Sequence, residues 1–117
     1  QERAFYPPDW QRIAPALADV LALDEAQFLA RYGQTPLARP GRERLVRNAC
    51  IAAGNSQSET LLPALTRCLN DPSAMIRGHA AWALTQLNPQ AARPALERLR
   101  NDPDEAVAAE ARALLEA

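Results

Sequence analysis

The sequence predicts an all-α protein: a right-handed helical-repeat solenoid of two to three helix pairs with an N-terminal helical extension. Three observations carry this reading. First, the chain repeats itself. Asp71-Pro72 returns as Asp102-Pro103, and Pro63-Ala64-Leu65 with Arg67 returns as Pro94-Ala95-Leu96 with Arg98, both thirty-one residues later. Ile76, Ala80 and Leu84 map onto Val107, Ala111 and Leu115 at the same offset. Arg47, Cys50 and Ala53 form a weaker copy of Arg77, Ala80 and Ala83 at an offset of thirty. Such a period, with helical spacing inside each unit, marks units that bury their apolar faces by stacking. Second, Ala and Leu dominate an apolar content of 48% while aromatics make up 5%, which favours helix over sheet. Third, Asp-Pro and Asn-Pro steps recur where helices should start.

The elements follow in order. Residues 1–9 read as an extended lead-in, because Pro7-Pro8 blocks helix. Asp9 caps a helix from Trp10 to about Leu23, with Ile13, Leu17, Val20 and Leu21 as its apolar stripe. Asp24 caps a short helix holding Phe28 and Leu29, which Gly33 ends. Pro36, Pro40 and Gly41 make residues 34–41 a turn-rich link. A helix over about 42–53 closes at Gly54-Asn55. Ser56-x-x-Glu59 reads as a capping box for a helix over about 59–70. Asp71-Pro72 starts a helix over about 73–87, Asn88-Pro89 one over about 90–100, and Asp102-Pro103 one over about 104–116. The last carries Glu110, Arg112 and Glu116 where the preceding copy is less charged, as a capping unit does. Residues 1–117 form one domain: lead-in 1–9, N-terminal helices 10–33 and repeats 42–117. The chain opens on Gln1 rather than Met and reads as a piece of a longer protein.

The bulk properties narrow the function. The apolar content is too high for a disordered tail, and no apolar run reaches membrane-spanning length. Cys50 and Cys68 fall on apolar helix faces at a spacing that fits no metal motif, so they read as buried free thiols in a reducing cytoplasm. The net charge of −1 hides a segregation. Residues 1–30 sum to −3 and residues 83–117 to −2, whereas 31–82 sum to +4, with seven arginines against three acids. Every basic residue is Arg, whose planar fork suits phosphate or carboxylate.

On a helix over 42–55, Leu45, Val46, Ala49, Cys50, Ala52 and Ala53 gather on one side. Arg44, Arg47, Asn48, Ile51 and Asn55 gather on the other. Two guanidinium groups beside two amides suit phosphate oxygens, and Arg39 and Arg42 just upstream extend the stripe. The commoner meaning of such a stripe is a wet helix face. On the helix over 73–87, Met75, His79, Trp82 and Gln86 share an arc opposite Ile76, Ala80, Ala83 and Leu87. Both arcs can be buried in a middle solenoid helix, which makes Trp82 a packing residue rather than a stacking platform. His79 is the lone histidine and builds no metal site or nucleophile pair. Arg77 repeats the position of Arg47, so the two should project side by side about 10 Å apart, the spacing of packed helices. No catalytic and no metal-binding constellation emerges.

Two phrases carry a resemblance. Arg47-Asn48-Ala49-Cys50-Ile51-Ala52-Ala53-Gly54-Asn55 and Ile76-Arg77-Gly78-His79-Ala80-Ala81-Trp82-Ala83-Leu84 resemble the C-terminal HEAT-like repeat domain of epoxyqueuosine reductase. The lead-in, with Phe5, Pro7-Pro8 and the run Leu21 to Phe28, is similar to the segment that follows that family's iron–sulfur domain. Enzymes of this family reduce epoxyqueuosine to queuosine in tRNA, with cobalamin and two [4Fe–4S] clusters. The resemblance implies no cofactor in this stretch, because the catalytic domain would lie upstream. It implies a monomeric cytoplasmic piece of an oxidoreductase, off the membrane, whose partners are that domain and the anticodon stem-loop of tRNA. It raises Arg39, Arg42, Arg44, Arg47, Asn48 and Arg77 as backbone contacts, and leaves Asn55, His79 and Trp82 as mainly architectural. The alternatives are a stand-alone scaffold that binds another protein through the arginines, and a module that only braces its parent enzyme.

Overall fold

The computed structural model describes residues 10–117, and the helices described are α1 (Trp10–Leu21), α2 (Glu25–Tyr32), α3 (Gly41–Gly54), α4 (Leu62–Cys68), α5 (Ala74–Leu87), α6 (Pro89–Leu99) and α7 (Glu105–Glu116). Short 3₁₀ turns at Pro36–Ala38 and Glu59–Leu61 precede α3 and α4. No strand occurs among the described residues. The expected lead-in and Asp9 lie outside them.

Local chemistry sets most boundaries. Asp24 Oδ1 accepts from Gln27 N at 2.7 Å while Gln27 Oε1 accepts from Asp24 N at 2.9 Å. This reciprocal box starts α2 and ends α1 two residues before the expected Leu23. Gly33 closes α2 by donating its N–H to Leu29 O, in right-handed conformation. Gly41 opens α3 at φ +90°, a backbone that L side chains rarely adopt.

Ser56 does not form the expected capping box. Its Oγ donates to Ala53 O at 2.7 Å and accepts from Ser58 N at 3.1 Å, so it is buried as the lock that closes α3. Gln57 then turns at φ 62°, and the next helix begins only through the 3₁₀ turn after Ser58. The two Asp-Pro steps also work differently from the simple reading. Asp71 Oδ2 accepts from Ser73 N, and Ser73 Oγ is the cap that accepts from Ile76 N. Asp102 Oδ1 accepts from Asp104 N, and Asp104 Oδ1 accepts from Val107 N. Each Asp makes an Asx-type turn and hands the cap to the residue after Pro. Asn88 does cap directly, accepting from Ala91 N, with Pro89 at the first helical position.

Helices α3, α5 and α7 pack side by side in one row, with α1, α4 and α6 behind them, and α5 touches α3, α4, α6 and α7. The layers meet in a continuous core of mainly small and aliphatic side chains. Val46, Cys50, Leu65, Ile76, Ala80 and Ala111 are among its most deeply buried members. Burying such a face at about 25 cal/mol per Å² is what drives the units to stack. The alanines let the helices approach closely. Gly54 marks the tightest crossing: a Cβ there would lie 2.5 Å from Trp82 Cζ3 and 3.0 Å from Ala83 Cα.

Candidate nucleic-acid interface

The row α3–α5–α7 presents the predicted residues, and the structure sorts the arginines into two kinds. Arg77 is a clamp. Its Nε and Nη2 hold Asp102 at 2.9 Å each, and its Nη1 donates to Asp71 O at 2.8 Å and Pro72 O at 3.1 Å. Four of the five guanidinium donors are therefore used. The pair is largely sheltered, with 14% of the Arg77 side chain and 4% of the Asp102 side chain exposed. The bidentate bond to Arg77 holds the Asp102 carboxyl below the usual carboxylate range, helped by the Asp104 N–H, and raises Arg77 in return. Arg42 is a second clamp, one unit earlier. Its Nε donates to Leu23 O at 2.7 Å and its two terminal nitrogens grip the Asp71 carboxylate. That bond raises the Arg42 pKa against the opposing effect of burial. Each clamp thus ties a helix to the Asp-Pro turn of the following unit.

Arg39, Arg44 and Arg47 are different. Arg39 and Arg44 are exposed on the 3₁₀ turn and the first turn of α3, and neither has a partner among the described residues. Arg47 lies one turn on and donates from Nε and Nη2 to Asn48 Oδ1, at 3.1 and 3.0 Å. With Oδ1 so occupied, Asn48 turns its amide NH₂ outward. The face from Arg44 to Asn48 is therefore rich in donors, two guanidinium groups and an amide, and the adjoining Glu43 is held by Ser73 Oγ. The expected pair of arginines projecting in register is not formed, because Asp102 and the Asp71–Pro72 carbonyls engage Arg77 while Arg47 bonds only Asn48. Sequence repetition places both at equivalent positions but does not reveal which has an acid within reach.

The three family-motif residues also separate. Asn55 is exposed and closes α3 through its main chain, its N–H reaching Ile51 O. Trp82 covers Gly54 with one ring edge, as an architectural residue does. His79 donates Nδ1–H to Met75 O at 2.8 Å, since a carbonyl can only accept. The expectation that the Met75 arc is buried fails. Met75 is 38% exposed and Ile51 37%, and together with His79 and Trp82 they line an open groove of about 620 Å³ along α3, α5 and α7. It stays open at Gly78 because a Cβ there would meet only Val107 Cγ2 of α7, at 4.0 Å. The helical glycine is the one signal in the sequence that points to it.

The described residues do not fit an iron–sulfur cluster. No group of three His, Cys, Asp or Glu stands together among them. The two thiols are buried, and the neighbouring Cys68 together with burial pushes the Cys50 pKa upward. Cys68 Sγ in turn points to Leu21 O at 3.6 Å. Clusters of this kind require four thiolates each. Among the described residues no helix is long and apolar enough to cross a membrane.

Comparison with known proteins extends these observations. A family model for HEAT repeats matches residues 37–116. The epoxyqueuosine reductase of Xanthomonas campestris pv. campestris is 44% identical over 71 residues, which are 60% of this chain and 20% of that protein. The epoxyqueuosine reductase of Bacillus subtilis (strain 168) is 32% identical over 100 residues, 84% of this chain and 26% of that one. A crystal structure of epoxyqueuosine reductase with an epoxyqueuosine-modified tRNA stem loop superposes at a TM-score of 0.77 with 31% identity, covering 86% of this chain and 28% of that one. The chain thus spans about a quarter of the length of these relatives.

Proposed function

The chain belongs to the HEAT-repeat family, and from that premise we propose that it is the tRNA-docking segment of an epoxyqueuosine reductase acting in queuosine biosynthesis. It grips the backbone of an anticodon stem-loop, and the reduction itself is done by a part of the enzyme outside these residues. The observation that carries this is the donor-rich face of Arg44, Arg47 and Asn48. Arg supplies charge and a fork, the amide supplies neutral donors, and the neighbouring acid, Glu43 one turn before Arg47, already accepts from Ser73 Oγ. Arg39 extends it. The complex of a relative with a tRNA stem loop supports the same partner. Arg42 and Arg77 serve the site indirectly, by fixing the spacing of the helices that carry it. Contacts of this kind fix orientation without reading sequence, which suits a domain that positions RNA for a distant catalytic centre.

The test is a titration of a labelled anticodon stem-loop at several salt concentrations. Arg44→Ala and Arg47→Ala should each weaken binding and flatten the log–log salt slope by about one unit. Neither should lower the melting temperature, since neither residue holds another helix. Unchanged affinity and slope in both variants would sink the proposal, and capture of an acidic protein segment instead would put a scaffold in its place.

A further inference from the structure

Beside the donor face lies the groove, and its chemistry is the opposite. We propose that it seats one unpaired nucleobase of the docked RNA, a base that carries an exocyclic amino group. This deepens the docking reading above and rests on it. The floor is apolar and aromatic: Ile51, Met75 and the Trp82 ring line it beside His79. The polar groups at its wall are acceptors. His79 commits Nδ1–H to Met75 O, the arrangement in which Nε2 of an imidazole carries the accepting lone pair. Glu110 is exposed with a free carboxylate, and Asp104, whose Oδ1 caps α7, leaves its second oxygen at the wall. An occupant must therefore be flat or apolar and must present N–H donors, which rules a phosphate out of the groove itself.

The neighbouring face decides between occupants. Ile51 on the groove wall is one helical turn from Arg47 and Asn48, so its Cβ is about 5–6 Å from theirs. An anion held by those two residues sits at the groove mouth. A nucleotide has both halves, a phosphate for the donors and an amino-bearing base for the acceptors. A basic amphipathic peptide would match the groove but be repelled by Arg44 and Arg47. Unpaired loop bases stacked on aromatic or His side chains are the usual mode of RNA recognition.

Gly78 supplies an independent observation. It sits inside α5, where Gly is the poorest helix former after Pro. Packing does not demand it: a Cβ there would meet only Val107 Cγ2, at 4.0 Å. This is the reverse of Gly54, which Trp82 covers. Gly78 keeps the groove floor low, and the space around its Cβ position leaves room for a side chain to enter the seat.

The experiment compares wild-type chain, Gly78→Ala, Gly78→Leu and the Arg44→Ala/Arg47→Ala double variant. The probes are the anticodon stem-loop, the same stem-loop made abasic at each loop position in turn, and an adenine-rich single-stranded heptamer. Gly78→Leu should weaken stem-loop binding by about tenfold, the scale of one lost base stack. Its melting temperature should not fall. One abasic position should cost wild type a similar factor and cost Gly78→Leu nothing. Equal affinity of Gly78→Leu and wild type overturns the groove, and if the double variant still loses affinity, docking stands without it. If wild type ignores the stem-loop but binds the heptamer in a Gly78-sensitive way, the groove stands and the docking reading falls. Binding of neither RNA overturns both, as does Gly78-sensitive capture of a Lys-rich amphipathic peptide with no RNA bound.

Discussion

Arg77→Ala should unfold the protein more readily rather than simply strip it of a phosphate contact. The substitution removes four hydrogen bonds at once and strands the Asp102 carboxylate, of which only 4% is exposed, together with the carbonyls of Asp71 and Pro72. Breaking a buried pair by deleting one partner costs about 3–5 kcal/mol. The rim of the Arg77 guanidinium reaches water, which places this case near 3 kcal/mol, or roughly 9–15 °C in melting temperature for a domain of this size. The assay is thermal and urea unfolding followed by circular dichroism, for wild type, Arg77→Ala, Asp102→Asn and the double variant. The double variant should be less destabilised than the sum of the singles, because it no longer strands a charge. The pH dependence adds a second reading. Asp102 has a folded pKa below its unfolded value. Its stabilisation is therefore complete above the unfolded value of about 4 and is lost as pH falls through the folded one. Wild type and Arg77→Ala should converge in acid. An unchanged melting temperature at pH 7, with tRNA affinity lost as fully as in Arg47→Ala, would refute the division of the arginines into clamps and contacts.

Two further outcomes follow from the packing. Gly54→Ala gains about 1 kcal/mol of helix propensity but drives a methyl into Trp82 and the Ala83 backbone, an overpacking cost of about 1–3 kcal/mol. Net destabilisation with a shifted Trp fluorescence is expected, and a more stable variant would show that the α3–α5 contact is looser than it looks. Cys50, fully buried and with its pKa raised by the neighbouring Cys68 and by burial, should resist a thiol reagent in the native protein and react in denaturant. Rapid native labelling of Cys50 would mean that α3 and α4 separate readily in solution.

The repeat made the fold legible, and the reasons are local. Asp24, Asn88 and the Ala/Leu spacing act within a few residues, so their meaning survives without knowledge of the tertiary structure. Ser56 misled because its hydroxyl takes two main-chain partners within three residues, Ala53 O behind and Ser58 N ahead, and the turn at Gln57 keeps it from capping the next helix. Arg77 misled for a different reason. Its partner Asp102 is twenty-five residues away and on another unit, and no local pattern states that distance. The groove was hidden by the assumption that a middle solenoid helix is covered on both sides. That assumption fails where α7 brings only Val107 within reach of Gly78.

The arginines show how a repeat protein divides labour between copies. A stacked helix needs its loop anchored to the next unit, and a basic side chain over an Asp-Pro turn provides the anchor at the cost of its donors. Arg42 and Arg77 meet that need for successive turns, at Asp71 and at Asp102. Arg42 takes Asp71 from a position five residues before Arg47, and so Arg47 is released from the structural role its sequence position suggests. Releasing one arginine from the ladder is what leaves α3 with a donor-rich face. A substitution that handed Asp71 to Arg47, such as Arg42→Ala, would remove the anchor and the free face together. It should therefore lower both stability and RNA affinity, whereas Arg44→Ala should lower affinity alone.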